Sequence, residues 1–298
     1  MAAIKSKLKW LILGANGQLG QALQEVLNLG SHRYTACSHS QLDITNEHEV
    51  SSFFNEERPD IVVNAAGWTD VDLAEEEIGR AFSVNAYGPA LAANHSKSVG
   101  SKFVHISTDY VFSGEAQSPW EEEMLHCPVS VYGQSKAEGE RLIINSSSDN
   151  SFIVRTAWMY SQYQQNFAKT MLRLALSDSS KVEVVDDQIG QPTYAVDLAI
   201  QIIKMIENSA TPGIYHGTNA GETTWFHFAQ EIFALAGVDP KRVIPVSSKQ
   251  SLRVAKRPSY SVLGHKRWLA EGLDPMRDWR SALAHGFPAI LSNLDLER

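Results

Sequence analysis

The chain has 298 residues, 43% of them apolar and 20% charged, which suits a soluble globular protein with one large domain and room for a smaller lobe. A formal net charge of −8 and a pI of about 5.7 argue against a nucleic-acid partner, yet leave room for a phosphate held locally by helix N-termini and a few arginines. No apolar run is long enough to cross a bilayer, the stretch after Lys5, Lys7 and Lys9 stops at Gly14, and two cysteines, Cys37 and Cys127, make no disulfide framework, so a cytoplasmic protein with no membrane partner is expected.

In chain order, residues 8–13 predict a short apolar strand, and Gln18–Leu29 a helix with Leu19, Leu23, Val26 and Leu27 on one face. A weak strand at Arg33–Cys37 precedes a helix over 45–57 that turns Val50, Phe53 and Phe54 inward. A buried strand over 60–66, a long helix over 77–98 and a strand over 102–107 follow. A helix over 130–144 and a strand at Ser151–Thr156 close the regular part. Beyond it the rhythm loosens, with helices at 166–176, 196–206 and 224–236 and short strands at Val182–Val185, Gly213–His216 and Val243–Val246. Strand–helix alternation of this kind implies parallel βαβ units.

The first strand runs into Gly14-Ala15-Asn16-Gly17-Gln18-Leu19-Gly20, where the glycines fall three apart. A glycine turn, a backbone that lets pyrophosphate approach, and the unpaired N–H groups of the next helix together make a dinucleotide phosphate site. The end of the second strand reads Cys37-Ser38-His39-Ser40, with no carboxylate for a ribose 2′-hydroxyl, so the preference leans to NADPH, with NADH as the alternative. Asp43 and Ile44 follow, where Asp43 is a candidate cap for the helix over 45–57. Asn64-Ala65-Ala66-Gly67 ends the third strand with small residues that leave space for the cofactor.

Tyr132 and Lys136 stand four apart on a predicted helix and so share a face. An ammonium beside the phenol is expected to lower its proton affinity and make it an acid for a carbonyl oxygen. Thr108, at the carboxyl end of a strand where open α/β sheets bind ligands, is placed to hold the same oxygen. The catalytic set predicted is therefore Thr108, Tyr132 and Lys136. Asn85 lies in the long helix, either near the site or as a surface amide.

The wide glycine spacing and the Tyr132–Lys136 pair resemble the short-chain dehydrogenase/reductase superfamily. Further motifs, in order, narrow the resemblance: LDIT at 42–45, STDYVFSG at 107–114, RTAWMY at 155–160, VVDDQIGQPTY at 184–194 and RPSYSVL at 257–263. The chain resembles the dTDP-4-dehydrorhamnose reductase family. The resemblance implies a Rossmann-type doubly wound parallel sheet in residues 1–156, with returning segments from about 182–215, and a smaller α/β substrate lobe mainly in 157–298. It implies NAD(P)H-dependent reduction of a dTDP-4-dehydro-6-deoxy sugar, with a nucleotide-sugar substrate and a homodimer. By the same resemblance Asn16, Gln18, Leu19, Ser38, Asp43, Ile44, Ala65, Ala66 and Gly67 join the three glycines at the cofactor, with Tyr132 and Lys136 on the nicotinamide ribose. Asp109, Trp158, Gln191, Thr193 and Arg257 would meet the substrate beside Thr108. Gln21 and Ala22 replace a glutamate that some relatives use for Mg²⁺, so no metal is expected there. Asp186, Asp187 and Asp197, with the glutamate runs 75–77 and 121–123, are expected on solvated faces. The alternatives are a nucleotide-sugar epimerase or dehydratase, disfavoured because Asp109-Tyr110 lacks a second carboxyl acid, and a non-catalytic NADP-binding regulatory subunit.

Overall fold

The computed structural model describes residues 8–177, 180–250 and 253–296; Lys5 and Lys7 lie outside the described residues. The strands β1 (Lys9–Leu13), β2 (Arg33–Cys37), β3 (Ile61–Asn64), β4 (Lys102–Thr108), β5 (Ser151–Thr156) and β7 (Gly213–His216) form one sheet in the order β7-β5-β4-β3-β1-β2. Every pair in it is parallel. Strands covered on both faces must be apolar at successive positions. β1 meets this by sending Trp10 and Ile12 into one core and Leu11 and Leu13 into the other.

The first core is closed by α1 (Gln18–Leu29) and α7 (Ala195–Glu207), with the indole of Trp268 buried against them. The second is closed by α2 (Glu47–Glu57), α4 (Gly88–Val99) and α5 (Val131–Ser147), through side chains such as Phe54, Ala92, Ala93 and Ile143. A third core, built on α6 (Phe167–Ser177), α8 (Trp225–Leu235) and α9 (Trp279–Leu296), belongs to the smaller lobe. There β6 (Val182–Val185) pairs parallel with β8 (Val243–Val246). The segments that return to the sheet are thus α7 and β7; residues 182–185, grouped with them by the sequence, stay in the lobe with β8.

The predicted helix over 77–98 is broken. It consists of α3 (Ile78–Phe82), a π-helical turn (Ser83–Tyr87) and α4. The wider turn rotates Asn85 into the interior, where it is 0% exposed, so it is not a surface amide. The helix expected over 45–57 begins later, at Glu47, because Asn46 caps it by accepting from the backbone N–H of His48 and Glu49.

α5 is pinned by charge as well as by packing. Glu140, fully buried, accepts from Arg155 Nε (3.0 Å) and Nη2 (2.7 Å) and from the Ser107 hydroxyl, and lies 2.8 Å from His126 Nε2. Arg155 and its neighbours hold the Glu140 carboxyl far below the usual carboxylate range, against the burial that pushes it up. Removing the guanidinium strands a buried charge, so Arg155→Met should cost about 3–5 kcal/mol in urea unfolding, and Arg155→Met with Glu140→Gln should recover part of it.

Candidate active site

The glycine loop sits between β1 and β3, where the strand order reverses. Gly14 has φ +83°, and a Cβ on it would lie 2.6 Å from the Ala66 backbone nitrogen. A Cβ on Gly20 would collide with the Gly14 carbonyl, so both positions require glycine for close approach. The loop is clamped from β2: the Cys37 carbonyl accepts from the backbone N–H of Gly14 and of Ala15, both at 3.0 Å. Gly17 begins α1 with no side-chain cap, which leaves the first-turn N–H groups pointing into the groove.

Three cavities continue one another along the sheet's carboxyl edge. The first, about 550 Å³, is lined by Gly14, Asn16, Ser38, His39, Asp43 and Ile44. It shares Gly17, Ala65, Ala66 and Gly67 with a second, of about 580 Å³, lined by Gln18, Leu19, Thr108, Asp109, Tyr132, Lys136 and Trp158. The second shares Tyr110 and Trp225 with a third, of about 740 Å³, lined by Arg253, Lys256 and Arg257. This cradle fits a dinucleotide: it offers an uncapped helix start, a wall that tolerates no Cβ, and a groove running on past Gly67.

Within the second cavity the predicted set comes together. The Thr108 hydroxyl donates to Asp109 Oδ1 (2.9 Å), accepts from the Tyr110 backbone N–H (3.2 Å), and hydrogen-bonds the Tyr132 phenol. Burial pushes the Tyr132 hydroxyl up to about 12, outweighing its hydrogen bond with Thr108. That corrects the expectation of a lowered value: the phenol keeps its proton at neutral pH. Burial also brings Lys136 down to about 8, with Glu140 acting in the opposite direction. Lys136 Nζ donates to the Ile106 carbonyl at 2.5 Å and lies 3.2 Å from His105 Nε2. Burial pushes the Asp109 carboxyl up to about 6, although hydrogen bonds from Ser261 and Thr108 pull it down.

The other predicted residues divide. Ser38 donates to Gln41 Oε1 (2.8 Å), His39 is exposed, and Asp43 Oδ1 accepts from the Thr45 N–H and hydroxyl (2.9 and 2.8 Å), so Asp43 caps the turn before α2 rather than the helix itself. The Gln18 side chain reaches the smaller lobe, where it accepts from Ser161 and Asn166 (2.9 and 3.0 Å). Trp158, at φ +43°, stacks on Trp225 with ring centres 3.6 Å apart. Gln191 and Thr193 do not line the cleft. Gln191 Oε1 accepts from Leu263 N–H and Thr218 (2.8 and 2.9 Å), which makes it a strut for the 257–263 segment, and Thr193 is 0% exposed. Arg257 lines the third cavity while pairing with Asp72 (2.8 Å), which also meets Arg253 (3.3 Å). Two guanidiniums share one carboxylate there, and Glu183 lines the same cavity.

Several further residues have roles that local sequence patterns do not specify. Arg80 lies over the Trp68 ring (4.7 Å) in the first cavity, supplying from α3 the arginine absent after β2. Asn85 clamps Trp68, accepting from its N–H (2.8 Å) and donating to its carbonyl and to Ser135 (both 3.0 Å). Glu122, expected on a solvated face, is buried and accepts from the Arg267 N–H (3.2 Å), and Glu75 caps α5 through the Val131 N–H (2.9 Å). Asp197 is likewise buried, paired with Arg277 (2.6 Å). Among the described residues no group of three or more His, Cys, Asp or Glu is placed to hold a metal, and no helix is long and apolar enough to cross a membrane.

Fold and site define a dinucleotide-binding α/β protein of the Rossmann type, with a second lobe closing over the carboxyl edge of the sheet. Residues 8–291 match the family model described as the RmlD substrate binding domain, and the chain belongs to that family. It is 44% identical over 286 residues to a dTDP-4-dehydrorhamnose reductase of Streptomyces griseus, covering 95% of this chain and 94% of that one. It is 40% identical over 282 residues to a dTDP-4-keto-6-deoxy-D-glucose reductase of Streptomyces niveus, covering 95% and 97%. The crystal structure of a dTDP-4-dehydrorhamnose reductase from Bacillus anthracis str. Ames in complex with NADP superposes with a TM-score of 0.91 at 40% identity, covering 95% of this chain and 99% of that one.

The Asp109 carboxyl binds its proton more tightly folded than unfolded, so stability is present at low pH and is lost as pH rises toward about 6. Asp109→Asn should therefore stabilise the fold near pH 7 by roughly 1–3 kcal/mol and near pH 4 by almost nothing, read from urea midpoints at the two pH values.

Proposed function

We propose that this protein reduces the 4-keto group of a dTDP-4-dehydro-6-deoxy sugar with NADPH, specifically dTDP-4-dehydro-L-rhamnose to dTDP-L-rhamnose. The observation that carries the reading is the Thr108–Tyr132–Lys136 cluster at the end of β4, opening on a groove continuous with the glycine loop. The names of relatives matched over nearly their whole length support it, as does the NADP in the Bacillus anthracis structure.

Gly14, Gly17 and Gly20 hold the pyrophosphate at the start of α1, while Ser38, Asp43, Ile44 and Arg80 wall the adenosine end. Reduced nicotinamide, when bound, supplies the hydride. Thr108 and Tyr132 hold the carbonyl oxygen, and Tyr132 gives it the proton that burial has kept on the phenol at neutral pH. Lys136 stabilises the phenolate that results and orients the nicotinamide ribose. The Trp158–Trp225 stack forms an aromatic wall for the sugar, and Arg253 with Arg257 meets the substrate pyrophosphate. Asp109, still partly protonated near neutrality, can donate to a sugar oxygen. The same reading places the enzyme in the cytoplasm as a homodimer, which light scattering tests against the 33.0 kDa of one chain.

Purified protein should oxidise NADPH when given dTDP-4-dehydro-rhamnose. Tyr132→Phe should lower kcat by about 100- to 10,000-fold while NADPH still binds. No turnover across dTDP-, UDP- and GDP-4-keto sugars, or an undiminished rate in Tyr132→Phe, sinks the reading. Tightly bound NAD that recycles during turnover marks an epimerase instead.

A further inference from the structure

His105 is a polar residue in the middle of β4, 0% exposed, with its ring stacked parallel on Phe103. Its two ring nitrogens face two different groups, and the order of their hydrogen bonds is fixed from one end. The Ala66 backbone N–H donates to Asn64 Oδ1 (3.1 Å), so the oxygen of that amide is committed to the cofactor-side loop. Asn64 Nδ2, a donor only, then faces His105 Nδ1 at 3.2 Å, and Nδ1 must accept. Burial holds His105 well below the usual histidine range, and the charge on Lys136 adds to this, so the imidazole is neutral. Its one hydrogen is therefore on Nε2, which lies 3.2 Å from Lys136 Nζ.

An amine lone pair suits that N–H; an ammonium places donor against donor. We propose that His105 is a positioning residue for Lys136: held by Asn64 in the tautomer with hydrogen on Nε2, it directs that hydrogen at the lysine nitrogen and so eases Lys136 between ammonium and amine during turnover. This rests on the reductase reading above. In that exchange the ammonium passes one N–H proton to the Tyr132 phenolate, re-forming the phenol, and the amine takes a proton back from water. The lysine carrying a low proton affinity, about 8, agrees with this use.

The groups facing Lys136 are few. Tyr132 and Glu140 stand on its own helix, and Glu140 favours the ammonium. From β4 comes His105, and from the turn after it Asp109, which acts on Tyr132. From β5 Arg155 neutralises Glu140, which weakens the one anion that holds the proton on Lys136. Burial lowers the proton affinity of Lys136 and the Ile106 carbonyl that accepts from Nζ favours the ammonium; the tautomer of His105 acts beside these.

Two measurements decide the proposal, and neither needs turnover. Long-range nitrogen–proton spectra of the histidines in the wild-type protein, with and without NADP, should show the His105 hydrogen on Nε2; hydrogen on Nδ1, or on both nitrogens, overturns the proposal. Titration of 13Cε-labelled lysine should place Lys136 near 8 in wild type. In His105→Gln, which offers an oxygen instead of an N–H, and in His105→Phe, which keeps the stack on Phe103, it should move up by about one unit, a tenfold gain in proton affinity. The basic limb of the kcat/KM profile should move with it. Folded variants in which Lys136 titrates where it does in wild type overturn the proposal, because a merely structural histidine would leave that value alone. A protein that passes both tests yet reduces no keto sugar would overturn the reductase reading and leave the His105–Lys136 coupling standing.

Discussion

The site depends on how closely α5 is pressed against its neighbours. Two glycines allow it. A Cβ on Gly133 would collide with the Tyr110 carbonyl, and one on Gly139 with the Asn85 carbonyl, so the helix touches backbone on both sides of its active face. Lys136 lies between those two contacts and Tyr132 adjoins the first, so both inherit their precision. The Glu140–Arg155 pair then fixes the helix from beneath, so position along the axis and rotation about it are both determined. Thr108 and His105, on β4, meet side chains that have little freedom to be elsewhere.

That crowding explains why polar groups in this interior have such displaced proton affinities. With water excluded, burial raises Tyr132 and Asp109, lowers Lys136 and keeps His105 neutral. The anionic Glu140 is tolerated only because a guanidinium reaches it from β5. The Glu140–Arg155 charge pair braces the helix behind the cleft, while burial moves Asp109 and Lys136, which line it, toward their neutral forms.

Much of this was legible in the sequence wherever one local pattern determined one local structure. β1 and β3 are short runs of buried apolar residues, and the glycine spacing of residues 14–20 has few other uses. The Tyr132–Lys136 spacing needed only a helix to bring the pair onto one face. What stayed hidden was set by tertiary geometry. A π-helical turn leaves the composition of a helix unchanged, so the sequence leaves Asn85 open between the site and the surface of a long helix. Arg80 reaches the cofactor groove from an element far from β2, and no spacing rule connects the two. Gln191 and Thr193 follow a binding-like motif, yet both are buried, and the side chain of Gln191 braces Leu263. His105 did leave a trace, an imidazole among the apolar residues Phe103, Val104 and Ile106, but its partners lie on β3 and α5 and no local window contains them.

The Cys37 carbonyl is where β2 ends and where the phosphate loop is tied down, through the N–H groups of both Gly14 and Ala15. The stretch that would face the adenosine ribose on the proposed function, Ser38 to Ser40, begins at the very next residue. On that reading, grip on the shared pyrophosphate and choice between the two nicotinamide cofactors would hang from one peptide unit. Lineages that drift in cofactor preference must do so without disturbing that hinge, and exchanges imported into residues 38–40 will be felt first as a change in how firmly either dinucleotide is held.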